Sequence, residues 1–325
     1  MMKQTQPGYV TLLKTGELHR RAEQLKTLFS PCRLCPWGCG VNRPADERGH
    51  CRASSRLQVA RALPHFGEEP AISGCRGSGT IFFSNCNLRC CYCQNFQISQ
   101  NARGESITVD DLSRMMLNLQ HRGCHNINLV SASHFLPLII QALCKATAEG
   151  LTLPLVYNSN GYEDVRVLQL LRGIIDIYLP DAKYSTAEKA ERYSGAPNYP
   201  EINDAALQEM FQQVGYLKTD AAGHAERGLI VRHLVLPGNL SGTAEVLSRL
   251  KHQFGRFLTV SLMGQYRPCH QAGTCPELTQ ALSRNNYAQA IARLEELNFE
   301  NAWVQDHAKL DMNFIPDFEK TDSWN

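Results

Sequence analysis

The chain concentrates its cysteines in two short stretches, and their spacing is the first indication of chemistry. Seven of the thirteen cysteines fall into these two groups. A disulfide framework scatters its partners, whereas clustered thiols in a reducing compartment are usually metal ligands. The sequence therefore predicts two metal-binding groups, Cys86, Cys90 and Cys93 in one, and Cys32, Cys35, Cys39 and Cys51 in the other.

The three-cysteine group has the spacing C-x3-C-x2-C and lies directly after an apolar run. Three thiolates on one loop can ligate three irons of a [4Fe-4S] cluster and leave the fourth iron open to a substrate or cosubstrate. A pure electron carrier would normally supply a fourth cysteine. Cys91 also lies in this loop, but only Cys90 keeps the spacing, so we expect Cys91 to pack against the sheet. The competing interpretation is a zinc loop or a set of buried thiols.

The four-cysteine group has the spacing C-x2-C-x3-C-x11-C and can close a site without any other ligand. Four thiolates form a tetrahedral zinc site or hold every iron of a second [4Fe-4S] cluster. Pro36, Gly38 and Gly40 supply the tight turns that such a site needs. Both metals stay open, and the position of this group ahead of the three-cysteine loop gives no support for an electron relay.

From about residue 79 onward, short apolar runs alternate with amphipathic segments. This alternation of strands and helices is typical of an α/β protein with a parallel sheet and right-handed crossovers. Six units predict a partial (β/α)6 barrel, with the active site at the carboxyl ends of the strands. The predicted strands cover residues 80–84, 127–131, 155–158, 174–179, 229–236 and 257–262.

Three segments are expected along the chain. Residues 1–74 hold an N-terminal helix over 10–30 and the four-cysteine segment. The Pro and Gly content of residues 31–74 predicts a loop-rich structure that metal, rather than a core, holds together. Residues 75–310 form the barrel, and residues 311–325 form a tail that lies on the surface as a strap.

Composition limits the classes of function. The chain has 325 residues, of which 43% are hydrophobic, enough for one large domain with a small appendage. A formal net charge of +2 gives no electrostatic case for binding nucleic acid. The polar start lacks the apolar segment of a signal peptide, and no apolar run has the length of a membrane span. We therefore expect a cytoplasmic protein that does not bind membranes.

The loop from Cys86 to Cys93 resembles the signature of the radical S-adenosylmethionine (SAM) superfamily, including the aromatic residue before the last cysteine. The resemblance implies that SAM binds the open iron. Reduction of the cluster by an external donor, such as flavodoxin or ferredoxin, then cleaves SAM to methionine and a 5′-deoxyadenosyl radical. The resemblance also implies that Tyr92 lies against the adenine of SAM.

Three later motifs resemble those of activating enzymes for glycyl radical enzymes, such as pyruvate formate-lyase. They are Leu-Pro-Asp-Ala-Lys after the fourth strand, Asn-Ser-Asn-Gly after the third, and Val-Arg-His-Leu-Val-Leu-Pro-Gly on the fifth. The residue types agree with this, because a guanidinium on a central strand needs an anionic partner. The resemblance implies that SAM contacts Asp181, Lys183, Asn158, Ser159 and Arg232.

One stretch departs from the family pattern. Where these enzymes carry Gly-Gly-Glu for the amino group of SAM, this chain has Ser131-Ala132-Ser133-His134. The Cys-x-Leu-Cys-Pro opening and the Arg-Gly-Ser-Gly-Thr-Ile-Phe-Phe strand resemble uncharacterised relatives of the activating enzymes. Three possible functions therefore stay open. They are hydrogen abstraction from a glycine of a partner enzyme, radical modification of a small molecule or peptide, and an iron–sulfur electron-transfer or interaction role without SAM cleavage.

Overall fold

One ten-stranded sheet forms the framework of the protein, which is described here by a computed structural model over residues 6–306 and 316–320. The strands are β1 (Leu57–His65), β2 (Ser78–Phe83), β3 (Glu105–Ile107), β4 (Ile127–Val130), β5 (Leu155–Ser159), β6 (Ile177–Pro180), β7 (Lys218–Thr219), β8 (Ala225–Leu234), β9 (Thr259–Met263) and β10 (Asn301–Val304). Their order across the sheet is β10-β9-β8-β6-β5-β4-β2-β1-β3, and β7 pairs with β8 beside this path.

The parallel part of the sheet confirms the predicted fold class. Strands β2, β4, β5, β6, β8 and β9 pair in parallel with one another in this order, and each overlaps one of the six predicted runs. Strand β10 adds a further parallel partner to β9, which the alternation did not predict. Because β10 and β3 stand at opposite ends of the strand order, the sheet is an open, partial barrel.

Strand β1 corrects the prediction of loop structure throughout residues 31–74. It pairs antiparallel with β2, from Val59 opposite Phe83 to His65 opposite Ser78, and β3 pairs with its other side. Apolar residues at 57, 59 and 63 carry the alternation of a strand, but Arg61 and Pro64 interrupt the pattern. The prediction was therefore wrong for residues 57–65, and the proposed division at residue 74 stays a prediction.

Helices cover the outer face of the sheet. Gly16, with a φ of 75°, separates two helices where one was predicted over 10–30, because only a residue without Cβ takes this conformation readily.

No helix in the described part of the chain combines the length and apolarity needed to cross a membrane. The helices are α1 (Gly8–Lys14), α2 (Glu17–Thr27), α3 (Pro70–Ser73), α4 (Phe96–Ser99), α5 (Val109–His121), α6 (Leu136–Ala148), α7 (Val165–Leu170), α8 (Ala187–Ser194), α9 (Tyr199–Val214), α10 (Thr243–Phe254) and α11 (Arg284–Glu296).

The segment between β1 and β2, residues 66–77, fills the amino-terminal end of the barrel, and we call it the plug. It enters there because His65, the last residue of β1, lies opposite Ser78, the first residue of β2. In α3, Ala71 and Ile72 pack against side chains that β5, β6 and β8 point inward. Since successive strand residues point to opposite faces, their neighbours face the helices instead. The inward set is Val156, Ile177, Leu179 and Ile230.

The described part of the predicted tail, residues 316–320, lies near the loop that follows β2. The Phe318 ring is buried with its centroid 5.4 Å from that of Phe82. Gln97 donates to Asp317 Oδ1 at 3.0 Å and accepts from the Phe318 amide at 2.7 Å. Residues 311–315 and 321–325 of the predicted strap lie outside the described residues.

Candidate functional site

The loop after β2 brings Cys86, Cys90 and Cys93 to the carboxyl end of the barrel. Asn85, with a φ of 71°, turns the chain out of the strand. All three thiols are free and partly buried. Burial raises the pKa of Cys86 to about 11 and that of Cys93 to about 12. The thiols are therefore neutral near pH 7 by themselves, and a bound metal centre is what would stabilise their thiolate forms.

Each of the three sulfur atoms has a hydrogen-bonding partner from elsewhere in the barrel. Asn160 Nδ2 donates to Cys86 Sγ at 3.3 Å, and Ser194 Oγ donates to Cys90 Sγ at 2.9 Å. Ser99 Oγ lies 3.1 Å from Cys93 Sγ. Hydrogen bonds to ligating sulfur atoms stabilise negative charge on an iron–sulfur cluster and tune its potential. This donor set fits a [4Fe-4S] cluster held by three cysteines.

Cys91 makes contacts outside the three-cysteine group, and its predicted exclusion from that group stays a prediction. Its backbone amide donates to the Tyr193 carbonyl at 2.9 Å, and its carbonyl accepts from the Gln271 amide at 2.8 Å. The buried side chain is hydrogen-bonded to Cys275, and burial together with Cys275 raises its pKa to about 12. Cys91 therefore contacts a second thiol outside the three-cysteine group.

Tyr92 begins a chain of hydroxyl groups that ends at Cys90. Its hydroxyl lies 2.6 Å from that of Tyr184, which lies 2.6 Å from Ser194 Oγ, the donor to Cys90. The ring is buried and edge-on to Tyr266, at a centroid distance of 5.9 Å. The structure therefore places the Tyr92 side chain under the loop, where it supports Cys90. Its predicted contact with adenine stays a prediction.

Three of the predicted SAM-binding residues form one largely buried ionic group. Lys183 Nζ lies 2.6 Å from Asp181 Oδ2, and Arg232 Nε lies 3.0 Å from Asp181 Oδ1. Burial opposes the charge on Asp181, but Lys183 and Arg232 outweigh it and hold the Asp181 pKa below its ordinary value. These residues converge because β6 and β8 are neighbouring parallel strands whose carboxyl ends meet at one edge.

A cavity of about 510 Å³ opens beside this group and is lined by residues of the cysteine loop, the strand ends and the plug. Arg232 donates to Asn158 Oδ1 within it, and Arg232 Nη1 lies 3.6 Å from Glu68 Oε2. Glu68 in turn lies 3.4 Å from His65 Nδ1. The cavity therefore presents both charge signs. Its polar lining residues are His65, Glu68, Gln94, Asn95, Asn158, Arg232 and Gln265.

Two residues near the predicted site point elsewhere. Ser159 follows Asn158 on β5, and its hydroxyl accepts from the Gly161 amide at 3.2 Å on the opposite face of the strand. The structure thus does not bring Ser159 into the cavity, because adjacent strand residues alternate in direction. His134 is buried, with Nε2 2.7 Å from the Ser84 carbonyl and a pKa that burial lowers to about 3.

The four upstream cysteines line one small cavity, although eleven residues separate Cys39 from Cys51. All four are free, and only Cys39 is exposed. Four thiolates at one site can hold a single zinc ion or every iron of a [4Fe-4S] cluster, and this group fits both.

The segment that carries these four cysteines, residues 32–51, packs directly on the three-cysteine loop. The indole of Trp37 stacks on His50 at 3.8 Å and donates through Nε1 to the Asn87 carbonyl at 2.7 Å. Asn87 Oδ1 accepts from Asn160 at 2.6 Å, and Asn160 also donates to Cys86. The two cysteine groups are thus linked through a short series of contacts, although their order in the sequence did not indicate this.

Several residues of the site were not predicted from the sequence. Glu68 and His65 come from a segment assigned to a loop. The only sequence signal for Glu68 is that it belongs to a pair of acidic residues before Pro70, and this signal does not include His65. Asn160 lies in the Asn-Ser-Asn-Gly motif but was not predicted as a site residue, and Ser194 carries no pattern that distinguishes it from an ordinary helix residue. All four enter the site through the topology of the sheet.

Comparison with known proteins finds a family model that matches part of the barrel. The family model described as Radical SAM superfamily matches residues 80–209. The protein named Uncharacterized protein MJ0674, from Methanocaldococcus jannaschii, is 29% identical over 294 residues, which cover 89% of this chain and 81% of that protein. The crystal structure of HydG, titled a maturase of the [FeFe]-hydrogenase, matches with a TM-score of 0.47 and 12% identity. That match covers 68% of this chain and 48% of HydG, about half its length.

Replacing Arg232 with Met should lower the free energy of unfolding by about 3 kcal/mol, because it removes the cation that the largely buried carboxylates of Asp181 and Glu68 share, while Asp181 keeps its contact with Lys183. Arg103→Met is the matched control. Arg103 and its partner Glu319, 3.2 Å away, are both more than half exposed, so its loss should cost about 0–1 kcal/mol. Denaturant titration of the cluster-free variants measures both changes. Similar small losses in the two variants would show that Arg232 is not a buried ionic anchor.

Proposed function

Because residues 80–209 match the radical SAM superfamily, which implies [4Fe-4S]-dependent cleavage of SAM, we propose that this chain performs that reaction with a cluster bound by Cys86, Cys90 and Cys93. When bound, the reduced cluster supplies the electron that cleaves SAM to methionine and a 5′-deoxyadenosyl radical. The single observation that supports this assignment best is the ionic group of Asp181, Lys183 and Arg232 beside a cavity at the three-cysteine loop.

The methionine end of SAM carries an ammonium and a carboxylate, so its site must offer both charge signs. We assign Lys183 and Arg232 to the carboxylate. Asn158 lines the same cavity and binds Arg232. For the ammonium we assign Glu68, which lines the cavity as a carboxylate where the family motif Gly-Gly-Glu is missing. When the ammonium of SAM takes over the contact that Glu68 makes with the Arg232 guanidinium, the Glu68 carboxylate keeps a cationic partner. A carboxylate that is shielded from water requires such a partner.

A direct test compares four single cysteine variants. Cys86→Ala, Cys90→Ala and Cys93→Ala should abolish release of 5′-deoxyadenosine from SAM, because each removes one of three iron ligands. Cys91→Ala, in the same loop, should retain it. Reconstituted protein is reduced under anaerobic conditions and the product is quantified by chromatography. No release by wild-type protein would refute SAM cleavage, and loss in Cys91→Ala with retention in Cys90→Ala would refute the ligand assignment.

For the target of the radical, we propose hydrogen abstraction from a glycine of a partner enzyme. The three motifs that resemble activating enzymes meet around one group here, through Asp181, Lys183, Asn158 and Arg232. A small molecule or peptide is the second candidate, and the cavity of about 510 Å³ supports it, because pockets of roughly 300–1,000 Å³ are typical of small-molecule sites.

Two isotope and spectroscopic readouts distinguish these targets. A glycine target predicts a persistent glycyl radical signal by electron paramagnetic resonance when the partner enzyme, SAM and reductant are present together. A small-molecule target predicts transfer of deuterium from the labelled compound into 5′-deoxyadenosine. Deuterium transfer without any glycyl signal would overturn the proposal of an activating enzyme in favour of the second candidate.

We also propose that Cys32, Cys35, Cys39 and Cys51 hold an auxiliary [4Fe-4S] cluster. Their shared cavity supports a bound metal centre, and four free thiols match the four irons of one cluster. The contact of Trp37 with the Asn87 carbonyl supports a path for electrons to the three-cysteine loop. Cys39 is exposed, and we propose that a flavodoxin- or ferredoxin-like donor docks on the surface around it.

Metal analysis of a triple variant tests the auxiliary cluster. Protein in which Cys86, Cys90 and Cys93 are all replaced by Ala should retain about four irons and four sulfides per chain, the content of one [4Fe-4S] cluster, and no stoichiometric zinc. Further replacement of Cys35, which is buried in the group, should remove this iron. About one zinc per chain in place of iron would contradict the proposal.

A further inference from the structure

Three metal-ligating side chains meet at the amino-terminal end of the barrel, away from both cysteine groups described above. Cys75 lies in the plug, His125 lies two residues before β4, and His224 directly precedes β8. Their ligand atoms all lie within 4.8 Å of one another. Cys75 is exposed, and the two histidines are half-buried. Three separate segments therefore bring one thiol and two imidazoles to one accessible point.

We propose that Cys75, His125 and His224 bind a zinc ion. One thiolate with two imidazoles is a donor set that zinc favours, and it leaves a fourth position for water. Tetrahedral zinc separates a thiolate sulfur from an imidazole nitrogen by about 3.6 Å, given the bond lengths to each. Cys75 Sγ and His125 Nε2 lie 3.8 Å apart. The pair is thus already at the separation that one ion requires.

The tautomer of His224 is set for binding metal through Nε2. Asp220 Oδ2 lies 3.1 Å from His224 Nδ1, and Asp220 Oδ1 accepts from the His224 and Ala222 amides at 2.8 and 2.9 Å. A carboxylate that is held in place this way keeps the proton on Nδ1. Carboxylates are the usual outer partners of zinc-ligating histidines, whose orientation and basicity they control.

The His125 nitrogen that lies near Cys75 is a hydrogen-bond acceptor. The Arg76 amide donates to His125 Nε2 at 3.2 Å, so this nitrogen is the unprotonated one and its proton is on Nδ1. Cys75 Sγ lies near the same nitrogen. Bound zinc would take the lone pair that this long hydrogen bond now uses.

Gly74 leaves the space that the two imidazoles occupy. Its φ of 49° is a left-handed conformation, and a Cβ at this position would lie 2.5 Å from His224 Cδ2 and 2.7 Å from His125 Nε2. The imidazoles themselves stack at 3.8 Å. The backbone thus approaches both rings directly before Cys75, which is what brings the thiol within reach. The ion would tie the plug to β4 and to the β7–β8 hairpin.

Cobalt substitution tests this site with a readout that does not depend on SAM cleavage. Protein with its iron–sulfur sites assembled is titrated anaerobically with Co²⁺ and then with Zn²⁺. Wild-type protein should bind one equivalent of Co²⁺ with a thiolate-to-cobalt charge-transfer band, and Zn²⁺ should displace it. Cys75→Ser should lose the band, and His224→Gln should lose tight binding. His252→Gln, at an exposed histidine on α10, is the matched control and should behave as wild type.

Two further measurements separate ligand loss from misfolding. Without added metal, wild type and Cys75→Ser should have equal melting temperatures, and Zn²⁺ should raise only that of the wild type. Asp220→Asn should keep the stoichiometry and weaken Zn²⁺ binding by about 10–100-fold. A wild-type protein without the charge-transfer band, or a Cys75→Ser variant that keeps it, would overturn the site. Unchanged affinity in Asp220→Asn would overturn the role of the carboxylate.

Discussion

The largely buried guanidinium of Arg232 is the constraint on which the interior of the barrel depends. A cation in the middle of a sheet is tolerated only with anionic partners close by. Asp181 supplies one from the neighbouring strand, at 3.0 Å, and Glu68 supplies another from the plug, at 3.6 Å. Burial opposes the charge on Arg232, yet these carboxylates with Glu69 hold its pKa above the ordinary value. The strand ends and the plug are therefore coupled through one charge.

This coupling explains why the plug and the three-cysteine loop work as one structure. Strand β1 leads into the plug and pairs along the whole of β2, whose carboxyl end carries Cys86. Glu68 thereby reaches a cavity that Gln94 and Asn95 of the loop also line. A carboxylate placed on a separate flexible segment would lose orientation, whereas here packing in α3 and pairing of β1 fix its position. Precise placement of charged groups is what a site for a zwitterionic ligand requires.

The sequence predicted those parts of the molecule that local pattern determines. Six apolar runs indicated six parallel strands, and the family resemblance implied that Asp181, Lys183 and Arg232 share one ligand at the carboxyl ends of the strands. The pattern failed for Leu57–His65, where Arg61 and Pro64 interrupt the alternation. It also could not predict the position of Glu68. The contact of Glu68 with Arg232 depends on the path of the plug through the barrel. This path is a property of the tertiary structure, and no local periodicity in the sequence indicates it.

The two cysteine groups illustrate the same limit in another way. Spacing predicted each group and excluded Cys91, since ligand sets are local in sequence. Their adjacency depends instead on how residues 32–51 pack over the sheet, through Trp37 and the Asn87 carbonyl. An electron relay had no support from the order of the motifs, and the three-dimensional contact is what makes one reasonable.

The two ends of the barrel have different roles. Chemistry belongs at the carboxyl ends of parallel strands, where loops converge, whereas the opposite end serves stability. The plug spans this division, because Glu68 lies at the cavity and Cys75, after α3, lies at the amino-terminal end beside His125 and His224. An ion at Cys75 would therefore hold the segment that positions Glu68. Stability at one end of the barrel would then determine the placement of a charged group at the other.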